Sequence, residues 1–253
     1  LGIPEGNPDP DQCASAIAAL RCIVEDRRIA SLTDPEWKSF LRRSARPGFL
    51  SKLGDQDRRI WAEQLPPVLS HLRYTLGDLF SDRAEECGDL VYLEAEADGR
   101  RLTYSECAAR MRRIAAAFHA LAPEPRVLIF ASNSIETALC DLACLCNGIL
   151  VTPLSVHMDE GELARIIDRL GISIAITDSG ERLRTLLAAA RLAEASPQVL
   201  VTSVENAVPG EQVLLFDQVL AEHGHAALPA LVHDPFRTAT VMFTSGSTGV
   251  PRG

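Results

Sequence analysis

From Thr75 onward, short apolar runs alternate with segments of helical period, and this alternation limits the fold more than any other feature. Arg126 to Ala131 is a continuous apolar run after its first residue, the pattern of a strand buried on both faces. Ser132-Asn133-Ser134 then supplies capping side chains for a helix over Ile135 to Cys146, because a short hydroxyl or amide side chain can accept a free N–H of the first turn. Gly148 stops that helix, and Ile149 to Pro153 is the next strand. The alternation continues with a helix from Asp159 to Leu170 closed by Gly171, a strand over Ile172 to Thr177, and a helix over Ser179 to Ala193. Further strands are expected at Val199 to Thr202, Val213 to Phe216 and Thr238 to Phe243. Strands separated by helices imply right-handed crossovers. The expected class is α/β, a mostly parallel sheet with helices on both faces.

Upstream of Arg126 the pattern is less regular. A helix is expected from Thr75 to Cys87 and a strand at Leu90 to Leu93. Thr103, with Glu106 three residues on, forms a capping-box pair. The helix it opens carries Met111, Ile114, Ala115, Phe118 and Leu121 at helical spacing. Residues 1–74 read as a helical and irregular extension, and 75–253 as a separate domain. Leu1 to Pro10, with three prolines, reads as a disordered lead-in. A helix is expected over Asp11 to Arg28. A second, opened by Asp34 as N-cap with Pro35 in its first turn, runs through Trp37, Phe40 and Leu41. A third, near Trp61 to Leu72, is broken by Pro66 and Pro67.

Composition narrows the function. The formal charge of −9 repels nucleic-acid phosphates at long range, and an aromatic content of 5% supplies few stacking platforms. No nucleic-acid partner is expected. The apolar stretch from Ile135 to Val156 is interrupted by Glu136, Asp141, Asn147 and Gly148, so no membrane span is expected. Seven cysteines, an odd number, follow no signal peptide, and a reduced, cytoplasmic setting is expected. Cys140, Cys144 and Cys146 lack the paired spacing of a zinc site and read as buried structural thiols. No metal ligands are assigned. His223 and His225 fall in a polar, glycine-containing loop and read as surface residues, while His157 follows a strand end.

The chain ends in Thr244-Ser245-Gly246-Ser247-Thr248-Gly249-Val250-Pro251-Arg252-Gly253. Glycines bring backbone N–H groups close to a ligand, and successive N–H groups form a concave anion site. Hydroxyls add donors, and Arg252 adds a charged fork that suits phosphate oxygens. Walker A sites place Gly-Lys-Ser/Thr five residues after the first glycine; here Pro251 stands there.

Phe243 to Gly253 resembles the phosphate loop of the adenylate-forming superfamily, Tyr/Phe-Thr-Ser-Gly-Ser/Thr-Thr-Gly-x-Pro-Lys-Gly, with Arg252 where the family has lysine. Further segments are similar in the same order: Leu102 to Glu106, Asn133 to Glu136, and Asn147 to Leu154. The resemblance implies an ATP-dependent enzyme that joins a carboxylic acid to the α-phosphate, releases pyrophosphate, and passes the acyl group to coenzyme A or a carrier-protein phosphopantetheine. It implies that Thr244, Ser245, Gly246, Ser247, Thr248, Gly249 and Arg252 hold the β- and γ-phosphates, with Arg252 as the catalytic cation. Mg²⁺ is implied, with its ligand beyond Gly253. Ser155, where peptide-synthetase domains carry aspartate, favours an acyl- or aryl-CoA ligase. A peptide-synthetase adenylation domain and a non-catalytic nucleotide-binding or interaction module are the alternatives. The chain starts without methionine and stops inside the loop, so a fragment lacking the rest of the adenylation domain, inactive alone, is expected.

Overall fold

A computed structural model of the chain describes residues 9–44, 46–96, 98–203, 213–229 and 237–243. These fall into two compact units, divided between Thr75 and Leu76.

The first unit is helical: α1 (Pro10–Glu25), a 3-10 turn (Ile29–Ser31), α2 (Asp34–Ser44), α3 (Pro47–Leu50) and α4 (Asp55–Leu72). Asp9 opens α1 with a reciprocal cap: its Oδ1 accepts the Gln12 N–H at 2.8 Å, and Gln12 Oε1 accepts the Asp9 N–H at 3.1 Å. Cys13, Ile17, Leu20, Trp37, Phe40 and Val68 are buried together. Trp37 satisfies its indole by donating to Ile29 O at 2.9 Å. Two expectations are corrected here. Asp34 is inside α2, and Thr33 precedes it, with its N–H and hydroxyl both donating to Glu36 Oε2 at 2.7 and 2.8 Å. Glu36, at the third helical position, reaches back to that N–H and sets the start one residue earlier. Nor do Pro66 and Pro67 break α4, which runs through both. Each lacks an N–H for the helical ladder. The apolar stripe Trp61, Leu65, Val68, Leu72 continues across them into the same core, and that packing offsets the loss.

The second unit contains α5 (Leu76–Cys87), β1 (Val91–Glu94), β2 (Arg101–Thr103), α6 (Tyr104–Leu121), β3 (Arg126–Phe130), α7 (Ile135–Cys146), β4 (Leu150–Pro153), α8 (Glu160–Leu170), β5 (Ile174–Thr177), α9 (Gly180–Leu192), β6 (Gln198–Val201), β7 (Leu214–Leu215) and α10 (Phe216–His223). Among the described residues the main sheet is parallel, in the order β4-β3-β5-β6-β7. Alternate residues of each strand enter opposite cores. Val127, Ile129, Ile174 and Ile176 join the core formed with α6 and α7, whereas Leu128, Phe130, Ala175 and Val199 join the one formed with α8 and α9. Helices on both faces explain why β3 reads as an unbroken apolar run.

Four sequence expectations change. The strand at Leu90 to Leu93 is shifted by one residue and belongs to a separate antiparallel pair with β2, an element the sequence did not announce. Val213 to Phe216 shrinks to the two-residue β7, because Phe216 already starts α10. His223 is the last residue of α10, not part of a loop. Thr238 to Phe243 makes only a single parallel bridge, Thr240 to Val151. The register explains this: only Val151 on β4 exchanges backbone hydrogen bonds with that segment.

Candidate functional site

In a parallel sheet flanked by helices, every helix runs back against the strands, so helix N-termini collect at the carboxyl edge. Those of α7, α8 and α9 do so with a capping side chain, whereas α10, which follows β7, has none. Ser134 Oγ accepts the Thr137 N–H at 3.1 Å on α7. Asp159 Oδ1 accepts the Glu162 N–H at 2.8 Å on α8. Ser179 Oγ accepts the Arg182 N–H at 3.3 Å on α9. The α7 and α8 caps are reciprocal, with Thr137 and Glu162 reaching back. Helix dipoles make such an edge favourable to anions.

The segment leading to the glycine-rich loop borders this edge. Val151 N–H donates to Ala239 O, and Val241 N–H donates to Val151 O, both at 3.1 Å. Residues 239–241 therefore run parallel to β4, toward its carboxyl end. Phe243 packs against the core under α8 and α9. Thr244, Ser245, Gly246, Ser247, Thr248, Gly249 and Arg252, for which the family resemblance implies phosphate binding, lie outside the described residues.

Concave surfaces open along the same edge. A cleft of about 1020 Å³ is lined by Phe130, His157, Arg165, Glu181 and Arg182. A cavity of about 300 Å³ lies between α7 and the ends of β3 and β4, lined by Asn133, Thr137, Asp141, Pro153 and Leu154. Burial pushes the Asp141 carboxyl above its ordinary range. A third cleft, of about 670 Å³, lies between the β1–β2 hairpin and the start of α7. Arg100 crosses it, donating to Asp98 Oδ2 and Glu136 Oε1 at 2.6 Å each. Burial works against the Glu136 carboxylate, but the Arg100 hydrogen bond and charge, with help from Ser134, outweigh it and hold the pKa below normal. Glu136 of the Asn-Ser-x-Glu segment thus ties the hairpin to α7.

Between β3 and β5 the edge is bridged. Ser132 N–H donates to Asp178 Oδ2 at 2.9 Å, and Arg182 Nη1 donates to Asp178 Oδ1 at 2.5 Å. Sequence reasoning missed Asp178 because its backbone partner is far away in the chain; only the pairing of Phe130 with Thr177 brings them together.

The cysteines Cys107, Cys140, Cys144 and Cys146 are buried and free. Burial pushes the Cys107 thiol up to about 11 and the Cys146 thiol up to about 12. Thiols so far from ionising are poor nucleophiles and poor metal ligands. Among the described residues no group of three or more His, Cys, Asp or Glu side chains could hold a metal, and no helix is long and apolar enough to cross a membrane.

The family described as AMP-binding enzyme matches residues 80–253. The chain is 28% identical to 4-coumarate–CoA ligase 2 of Oryza sativa subsp. japonica over 214 residues, covering 81% of this chain and 35% of that protein. It is 32% identical to phosphinothricin tripeptide synthetase PhsC of Streptomyces viridochromogenes over 191 residues, covering 74% of this chain and 16% of that protein. The fold superposes on the anthranilate CoA ligase AuaEII, solved in complex with anthranoyl-AMP, with a TM-score of 0.61 and 15% identity over 70% of this chain and 33% of that one. The chain thus spans about a third or less of the length of these relatives.

Proposed function

The chain belongs to the AMP-binding enzyme family, and from that premise we propose that it carries the phosphate-gripping part of an ATP-dependent, carboxylate-activating ligase. The observation that carries this reading is the match through Gly253, which takes in the whole Thr244 to Gly253 motif. It is supported by the parallel placement of residues 239–241 beside β4, which leads the chain toward the carboxyl edge before the motif begins.

In the proposed reaction a substrate carboxylate oxygen attacks the α-phosphorus of ATP, and the bond from the α-phosphorus to the α,β-bridging oxygen breaks, releasing the β- and γ-phosphates together as pyrophosphate. Charge grows on the departing pyrophosphate. Backbone N–H groups at Gly246 and Gly249, hydroxyls of Thr244, Ser245, Ser247 and Thr248, and the Arg252 guanidinium are the donors proposed to receive it. No protein nucleophile is required. A thiol, from coenzyme A or a phosphopantetheine arm, would then displace AMP from the acyl-adenylate. Mg²⁺ would neutralise phosphate charge, but the described residues offer no ligand set for it and no step is assigned to it. A soluble, cytoplasmic setting is part of the proposal.

Relatives include both CoA ligases and peptide synthetases. Ser155 in place of aspartate favours coenzyme A as acceptor; the 32% identity to a peptide synthetase favours a carrier-protein arm as the second reading. Carboxylate-dependent exchange of labelled pyrophosphate into ATP tests the proposal in the full-length protein. Exchange that continues to product with coenzyme A supports the first reading, and exchange that requires a holo-carrier protein supports the second. Absence of exchange with every acid in a broad panel would leave a binding module without catalysis. Residues 1–253 alone are expected to show none, since the aligned part of the chain covers only 35% of the 4-coumarate–CoA ligase relative.

A further inference from the structure

β3 and β5 are neighbours whose following segments leave toward opposite faces, one to α7 and the other to α9. The crevice between two such segments is where open parallel sheets place ligands. Here a side chain already stands in it. Asp178 receives a backbone N–H from Ser132 and a guanidinium N–H from Arg182, at 2.9 and 2.5 Å. The Asp178 and Arg182 side chains are only 20% and 24% exposed. A backbone donor and an arginine from different elements, converging on one anion, are the donors that hold carboxylate or phosphate groups elsewhere.

We propose that the Asp178 carboxylate is a built-in anion: the crevice between β3 and β5 is a small-oxyanion site occupied by the chain's own side chain. Its occupancy ties the segment after β3 to the start of α9 and closes the crevice to carboxylates and phosphates from solution.

The experiment is rescue of thermal stability in Asp178→Ala by small anions. Loss of the Ser132 and Arg182 hydrogen bonds to a charged group should lower its Tm by at least about 5 °C. Sodium formate or sodium phosphate at about 100 mM should restore at least half of that loss relative to sodium chloride of equal ionic strength. Formate alone succeeding would mark a carboxylate-sized site, and both succeeding would mark a general oxyanion site. Wild-type protein should respond equally to all three salts, and Asp178→Ala combined with Arg182→Ala should not be rescued. Equal Tm of Asp178→Ala in all three salts would overturn the proposal, as would equal rescue of the double variant. Should Asp178→Ala fail to fold, Asp178→Ser supplies the test in the same three salts, and an equal Tm in all of them would overturn it.

Discussion

Thr240 lies directly beside Val151, in parallel register, and Val151 uses both its N–H and its carbonyl to hold the neighbours of Thr240 at 3.1 Å. Two hydrogen bonds are therefore what fix the approach to the glycine-rich loop on β4. Val241→Pro removes the N–H that donates to Val151 O. It should cost about 1–3 kcal/mol of stability and, if the loop grips ATP, weaken nucleotide affinity by roughly tenfold or more. Chemical denaturation together with calorimetric titration of ATP checks both halves; unchanged affinity despite the stability loss would separate the loop's function from its anchor.

Asp141 gives a pH signature. Its carboxyl is raised by burial, and burial is the sole cause resolved. The folded state therefore prefers the protonated acid. That stabilisation is fully present below the ordinary aspartate range, and it is lost as pH rises through the raised folded value. Wild-type stability should fall across that window. Asp141→Asn should be more stable than wild type above the window and show no such slope there. Urea titrations between acid and neutral pH decide it, and parallel curves for the two proteins would refute the assignment.

How much of this was readable beforehand depends on range along the chain. The caps at Thr103 and Ser134 join residues three apart, so the pattern Thr-x-x-Glu announced the first of them outright. β3 and β5 announced themselves because both faces are buried and no polar residue interrupts them before Thr177. β2 did not, since a three-residue strand with arginine and threonine at its ends has too little pattern to stand out. The proline pair in α4 misled for the opposite reason: local chemistry opposed a helix that tertiary packing retained. Ser132 and Asp178 are joined only through strand pairing, which a single sequence does not display.

Thiol chemistry offers a test of the buried cluster. Cys22 is exposed and Cys87 partly so, whereas Cys13, Cys107, Cys140, Cys144 and Cys146 are buried. Native protein at mildly alkaline pH should therefore be alkylated at Cys22 first and Cys87 next. The other five should label only after denaturation, because neither access nor ionisation favours them. Mass spectrometry of partly labelled protein reads the order directly, and early labelling of Cys140 or Cys144 would mean that α7 opens locally.

Helix caps at the carboxyl edge can be ranked as well. Ser134 exchanges hydrogen bonds with Thr137 in both directions, at 3.1 Å from the Thr137 N–H and 2.8 Å from its own N–H. Ser179 offers one longer bond, at 3.3 Å. Ser134→Ala should thus cost about 1–2 kcal/mol and Ser179→Ala about half as much. Chemical denaturation of the two variants measures the difference, and a larger loss at Ser179 would contradict the ranking.

The proposed role of Arg252 separates charge from shape. A leaving pyrophosphate is stabilised by a positive charge at the right distance, which an arginine fork and a lysine point charge both supply with different geometry. Arg252→Ala in the full-length protein should lower carboxylate-dependent pyrophosphate exchange by about 10²–10³, the usual effect of losing one donor to a developing oxyanion. Arg252→Lys, which restores the family's residue, should keep activity within roughly tenfold of wild type, with the loss confined to geometry and not to charge. Comparing kcat with KM for ATP sharpens the reading. A change in kcat alone places the guanidinium against the departing phosphates in the transition state, a change in KM alone places it on bound ATP, and an alanine variant as active as wild type removes it from the reaction.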